Sequence, residues 1–150
     1  MFLTVHAAAG VLIGEYVNNS FLAFLAGFAS HFLLDLVPHG DQGLLEGVKR
    51  GGKVRKVLAL TTIDNTILII FISLLYNNKI CIFHTSASWA LIGSILPDFI
   101  IGLNVLTKNK IVQSFFDFHK SLHYTLGIKV NLVSGIIIQI LTFLLILKSY

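Results

Sequence analysis

Residues 57–76 read VLALTTIDNTILIIFISLLY, twenty positions that carry one charge, Asp64, and neither glycine nor proline. As an α-helix this run is about 30 Å long, the thickness of a bilayer's hydrocarbon core. Lys49, Arg50, Lys53, Arg55 and Lys56 crowd the approach to it. A basic cluster directly before an apolar helix is the pattern of a membrane span anchored at anionic headgroups on the cytoplasmic side.

Four more apolar stretches lie outward from this one. Residues 3–17 end at Asn18-Asn19-Ser20, where Ser20 is placed to cap the next helix. Residues 21–37 follow and stop at Pro38, residues 88–106 contain Pro97, and residues 128–147 close the chain. Between them, 107–126 mixes Lys108 and Lys110 with Phe115, Phe116 and Phe118, which suits an amphipathic helix lying at an interface with its phenylalanines as anchors. The predicted fold class is therefore all-α: a polytopic helical membrane protein with about five transmembrane helices and one interfacial helix. The first two stretches are short enough to form a partly re-entrant hairpin instead.

Composition agrees. The chain is 55% hydrophobic and 12% charged, about half the charge of a soluble domain. Its 150 residues fit a single integral membrane domain, 1–150, without a separate soluble module. The opening MFLTVHAAAG lacks a basic n-region, so a retained first helix is expected rather than a cleaved signal. Cys81 is the sole cysteine, which excludes an internal disulfide and a cysteine-type zinc site. The basic cluster next to a span argues for headgroups as partner and against nucleic acid.

The same charges orient the chain. Loop 39–56 carries five basic residues and 107–127 carries Lys108, Lys110 and Lys120, whereas 18–20 has none and 77–87 has only Lys79. With five spans both basic stretches fall on one side, which becomes cytoplasmic. The predicted location is the inner, cytoplasmic membrane, with the N-terminus inside and Tyr150 outside.

Ionisable groups at membrane depth are costly and ask for a reason. On this topology His6, the pair His31 and Asp35 four residues apart, His39 and Asp41, Asp64, Asp98, and the pair His119 and His123 all map to the cytoplasmic side. Glu15 and His84 map to the other. Imidazole and carboxylate are the ligands of zinc and related divalent ions, and an i, i+4 pair lets one helix offer two of them. A metal-bound water in such a site attacks esters or phosphoesters near neutral pH. Each group also has a structural reading: His6 as a headgroup contact, His31/Asp35 or Asp64 as links between helices, Asp98 as a local cap after Pro97, His119 and His123 as interfacial polar residues.

The strings HAAAG (6–10), GFASHFLLDLVPHGD (27–41), GSILPDF (93–99) and FHKSLHY (118–124) resemble the membrane-bound metal-dependent hydrolases of prokaryotes, a family loosely likened to zinc-dependent phospholipases C. Their most specific element is S-H-F-L-L-D-L-x-P-H. The resemblance implies that His6, His31, Asp35 and Asp98 hold metal and that His119 and His123 form the His-rich segment. FHKSLHY stands where the family frequently has H-R-G-x-T-H-S.

The resulting expectation is a membrane-embedded hydrolase with a divalent metal, zinc by its ligand set, acting on an ester or phosphoester, with a membrane phospholipid as substrate. Its candidate ligands are His6, His31, Asp35, Asp98, His119 and His123. Asp64 is the candidate base or ligand-orienting carboxylate, and His39 the candidate proton carrier or substrate contact. An ion- or proton-coupled transporter and a non-enzymatic structural subunit are the rival readings, since buried Asp and His also serve ion paths and helix contacts.

Overall fold

The computed structural model describes residues 1–40, 54–77, 85–106, 109–124, 128 and 130–150. These form six helices: α1 (Leu3–Tyr16), α2 (Ser20–Asp35), α3 (Val54–Asn77), α4 (Thr85–Leu106), α5 (Lys110–Tyr124) and α6 (Leu132–Leu147). No strand occurs among the described residues. The basic loop residues Lys49, Arg50 and Lys53, together with Asp41, Lys79, Cys81, His84 and Lys108, lie outside the described residues.

The helix ends follow from local chemistry. Asn19, not Ser20, caps α2: its side-chain oxygen accepts from the amides of Phe21 and Leu22, both at 3.0 Å, and Ser20 is the first helical residue. The short Asn side chain can turn back onto the first free amides from outside the helix, whereas Ser20 is already within it. Three residues past the end of α2, Pro38 has no N–H to continue the ladder. Asn131 caps α6 in the same way, accepting from Ser134 N at 2.8 Å. The N-terminus of α1 has no cap of its own. It borrows one from α3: Asp64 accepts from Leu3 N at 2.6 Å, Thr4 N at 3.1 Å and the Thr4 hydroxyl at 2.7 Å.

α1 lies at the centre, packed on α2, α3, α4 and α6, and Val5, Ala7, Ala8 and Val11 are buried. Small residues make this possible. Gly10 and Gly14 of α1 meet Ala87, Ala90 and Ser94 of α4, and Gly27 of α2 meets the Ala90 backbone so closely that no Cβ fits. Gly93 of α4 in turn lies on Phe24 and Phe28 of α2. Such small-xxx-small seams bring helix backbones into contact and are typical of helix pairs in lipid. On the other side, Phe71 of α3 crosses Phe143 of α6 edge to face at 5.6 Å, closing a core of Ala8, Val11, Phe71 and Leu75.

Within α3, Leu58–Asn77 is the one described helix long and apolar enough by itself to cross a membrane. Ser20–Asp35, Ser86–Gly102 and Leu132–Leu147 are apolar but shorter. At 14 and 16 residues, α1 and α2 reach about 21 and 24 Å. Of about five helices expected to span, one among the described residues therefore meets the combined length and apolarity criterion by itself. Large apolar side chains nonetheless face outward along α3 and α6, among them Ile63, Ile69, Ile70, Val133, Leu141 and Leu145.

Candidate metal centre

The small-residue seam ends in a polar cluster. One turn beyond Gly27 on α2 is His31; one turn beyond Ala90 on α4 is Ser94. Here the two helices touch through a hydrogen bond, His31 Nδ1 donating to the Ser94 carbonyl at 2.8 Å. A carbonyl only accepts, so Nδ1 carries a proton and Nε2 is the ring atom turned toward the cluster; a metal ion bound there would take the Nε2 lone pair of the neutral Nδ1–H tautomer. Pro97 lies inside α4; its missing N–H releases the carbonyl of Gly93 and not that of Ser94, so the Ser94 oxygen takes the imidazole in addition to its place in the helix.

Four elements aim side chains at the same point as that lone pair. His31 Nε2 is 3.1 Å from Asp35 Oδ2, one turn on along α2. His119 Nε2, from α5, is 2.9 Å from the same oxygen and 3.0 Å from His31 Nε2. His6 of α1 stacks on His31 with ring centroids 4.0 Å apart, and its Nε2 lies 3.2 Å from Asp35 Oδ1. Asp98 of α4 approaches with Oδ1 3.7 Å from His31 Nε2. Ligand atoms of His6, His31 and Asp98 lie within 4.8 Å of one another, as do those of His31, Asp35 and His119. About 3.3 Å separates two ligand atoms that share a tetrahedral ion at bonds of 2.0–2.1 Å. The spacings seen here are of that size.

Burial separates the members. The side chains of His6, His31 and Asp35 are at most 1% exposed and His119 is 8% exposed, while Asp98 is 30% exposed. The cluster is thus closed on the α1 and α2 side and open beside Asp98. His6 adds a second fact. It is fully buried, and among the described residues its Nδ1 has no hydrogen-bond partner and its Nε2 meets only Asp35 Oδ1, at 3.2 Å. Leaving a buried polar group unsatisfied costs about 1–3 kcal/mol; a metal ion at Nε2 would satisfy that one nitrogen and leave Nδ1 as it is.

The remaining predicted residues take different places. His39 borders the cluster: its Nδ1 donates to Val37 O at 2.6 Å, and its Nε2 lies 3.9 Å from Asp35 Oδ1 and 2.9 Å from the Met1 nitrogen. That nitrogen, the N-terminal ammonium, also donates to Asp35 Oδ1 at 2.7 Å in a buried ion pair, so this oxygen already has a cationic partner and Oδ2 is the one turned to His31 and His119. Asp64 points to the start of α1, where both carboxylate oxygens hold amides, two residues before His6 and outside the His/Asp groups. His123 shares α5 with His119, but its side chain lies outside the described residues. Phe115 and Phe118 turn toward α2, packing edge to face on Phe32 at 6.3 and 5.7 Å, and Phe32 in turn lies against His119 at 6.0 Å. They wall the cluster on the α5 side.

No family model, curated protein or solved structure matches this chain. The functional reading rests on the site itself.

Sequence reasoning missed two participants. Gln139 is buried on α6, its amide nitrogen donating to His39 O at 3.1 Å and its oxygen accepting from Phe2 N at 2.5 Å. It thereby ties the Pro38–Gly40 turn and the start of α1 to the last helix. A signal was there to read: Gln139 is the one amide in the run LVSGIIIQILTFLLIL, and an isolated polar group in such a run needs a partner. The Ser94 carbonyl carried no signal, because a backbone acceptor has no residue type.

Proposed function

We propose that this chain is a membrane-embedded, metal-dependent hydrolase that cleaves an ester or phosphoester of a membrane lipid at the cytoplasmic face. The observation that carries the reading is the convergence of His6, His31 and His119 on the Asp35 carboxylate, with Asp98 at the open edge. Three imidazoles around a buried carboxylate are a donor set for zinc or a similar divalent ion. Such an ion supplies an acidified water; the residues supply its place and its substrate path. Hydrolysis joins the water oxygen to the carbonyl carbon or phosphorus and breaks the bond to the leaving oxygen. That oxygen departs with the electron pair and takes up a proton, for which Asp98 and His39 at the margin of the cluster are the nearest carriers.

Several features support a membrane setting with more than one span. Only 17% of the apolar window of α3 is buried, whereas the core helix of a soluble protein would be mostly buried. Its outward face and that of α6 would leave extensive apolar surface in water. α1, too short to span by itself, is enclosed by other helices, as a short segment at membrane depth must be. Along α5 the exposed surface sets Lys110 beside Ile111, Phe115 and Phe118, a cation next to apolar side chains, as on a helix lying among lipid headgroups. The motifs resembling the membrane-bound metal-dependent hydrolases lie on α1, α2, α4 and α5, which supply the cluster.

Detergent-purified protein is expected to retain stoichiometric transition metal by elemental analysis and to cleave phospholipid in mixed micelles. Chelation and His31→Ala should each abolish both. Protein free of metal and inert toward phospholipids would dismiss the hydrolase.

A further inference from the structure

Three ligand atoms in the cluster form a nearly equilateral triangle. His31 Nε2 and Asp35 Oδ2 stand 3.1 Å apart, His119 Nε2 and the same oxygen 2.9 Å, and the two imidazole nitrogens 3.0 Å. One face of a tetrahedral zinc site has edges of about 3.3 Å, so a single ion fits this triangle after a small expansion. Further contacts hold two of its corners. His31 is oriented by its Nδ1–H on the Ser94 carbonyl, the outer bond usual for a metal-binding imidazole. Oδ1 of Asp35 is engaged by the Met1 ammonium at 2.7 Å, which leaves Oδ2 to bind as a single oxygen.

His6 stands apart from the triangle, although it is equally buried. Its ring is stacked on His31, with centroids 4.0 Å apart and planes inclined by 22°. A metal–imidazole bond lies in the plane of the ring, along the nitrogen lone pair. An ion in the plane of His31 therefore lies off the plane of the ring stacked on it. The Nε2 of His6 faces Asp35 Oδ1 at 3.2 Å, the oxygen that holds the ammonium.

Building on the metal-site reading above, we infer that the cluster holds one divalent ion, bound by His31, His119 and Asp35 Oδ2, and that His6 is a positioning residue rather than a ligand. The protein ligands then come from α2 and α5, and α1 contributes a ring that fixes the face of His31. Two imidazoles and one carboxylate leave a fourth position open, the arrangement of catalytic rather than structural zinc. Asp98, at 30% the most exposed member of the cluster, lies beside this triangle with Oδ1 3.7 Å from His31 Nε2. A fourth ligand from His6 would instead close the site to water.

The test uses the full chain in detergent with isotope-labelled histidine, stripped by chelator and reloaded with spin-active Cd²⁺ alone. One ion per chain is expected, with scalar coupling from cadmium to the nitrogens of two imidazoles. Both coupled rings should show cross-relaxation to Phe32, on which His31 and His119 pack edge to face at 5.4 and 6.0 Å. This identifies them even where a variant does not fold. His119→Gln should remove one coupling. His6→Phe, which keeps a ring against His31, should retain the ion and both couplings while weakening Zn²⁺ binding by roughly 10–100-fold, as loss of an outer contact does. Any other number of ions or coupled imidazoles in the unmodified protein, or a coupling lost with His6→Phe, would overturn this ligand set while leaving a metal-dependent hydrolase standing. No bound ion would overturn both.

Discussion

Asp64 shows how much the role of one charged residue depends on what it meets. A lone carboxylate in an apolar helix reads from sequence as either a base or a helix-to-helix contact. In the fold it closes the N-terminus of α1, taking the two amides of Leu3 and Thr4 and the Thr4 hydroxyl. The first amides of a helix have no intrahelical acceptor and carry the positive end of its dipole, so a carboxylate there is doubly favourable. Asp64→Ala is expected to lower stability by about 1–2 kcal/mol, seen as a fall in the melting temperature of the detergent-solubilised protein, with Asp64→Asn intermediate and metal content kept. A variant that keeps its melting temperature and metal but loses hydrolysis would make Asp64 the base after all.

At the scale of helices, the cluster depends on contacts that bear no functional group. Gly27 against Ala90 sets the separation of α2 and α4 one turn below the bond from His31 to Ser94. A methyl at Gly27 must push the backbones apart, and overpacking of this kind costs about 1–3 kcal/mol. Gly27→Ala should therefore weaken metal retention and lower the melting temperature although no ligand is touched. Gly102, also on α4, has open space where a methyl group would stand, so Gly102→Ala is the control. It should be neutral or stabilising, by up to about 1 kcal/mol, because alanine favours the helix. Equal losses from both glycines would show that the seam does not position the site.

For the molecule as a whole, the proposed embedding makes one topological prediction. If the 39–56 and 107–127 stretches face the cytoplasm, residues 78–84 face outward. Cys81 is the sole thiol, so a membrane-impermeant maleimide should label it in intact cells. A cysteine introduced at Asn109 in a Cys81→Ser background should react only after the membrane is opened. The reverse pattern would place the metal cluster on the outer face.

The order and approximate limits of the helices were legible in the chain, because apolar runs and Pro38 act over a few residues, although the caps themselves, Asn19 in place of Ser20 and Asn131, appeared only in the fold. The sequence grouped His6, His31, Asp35 and His119 with Asp98, Asp64, His39 and His123; the fold brings the first four and Asp98 within a few ångströms of one another and sends Asp64 to the start of α1. Local pattern could not say that α1, rather than the longer α3, is the enclosed helix, for that follows from which backbones glycine and alanine allow to touch. Nor could it separate Asp64 from the cluster, bring in Gln139, or set the tautomer of His31, which depends on a carbonyl from sixty-three residues away. Apolar periodicity is written locally and survives in one dimension; the partner of a buried polar group is settled only when distant helices meet.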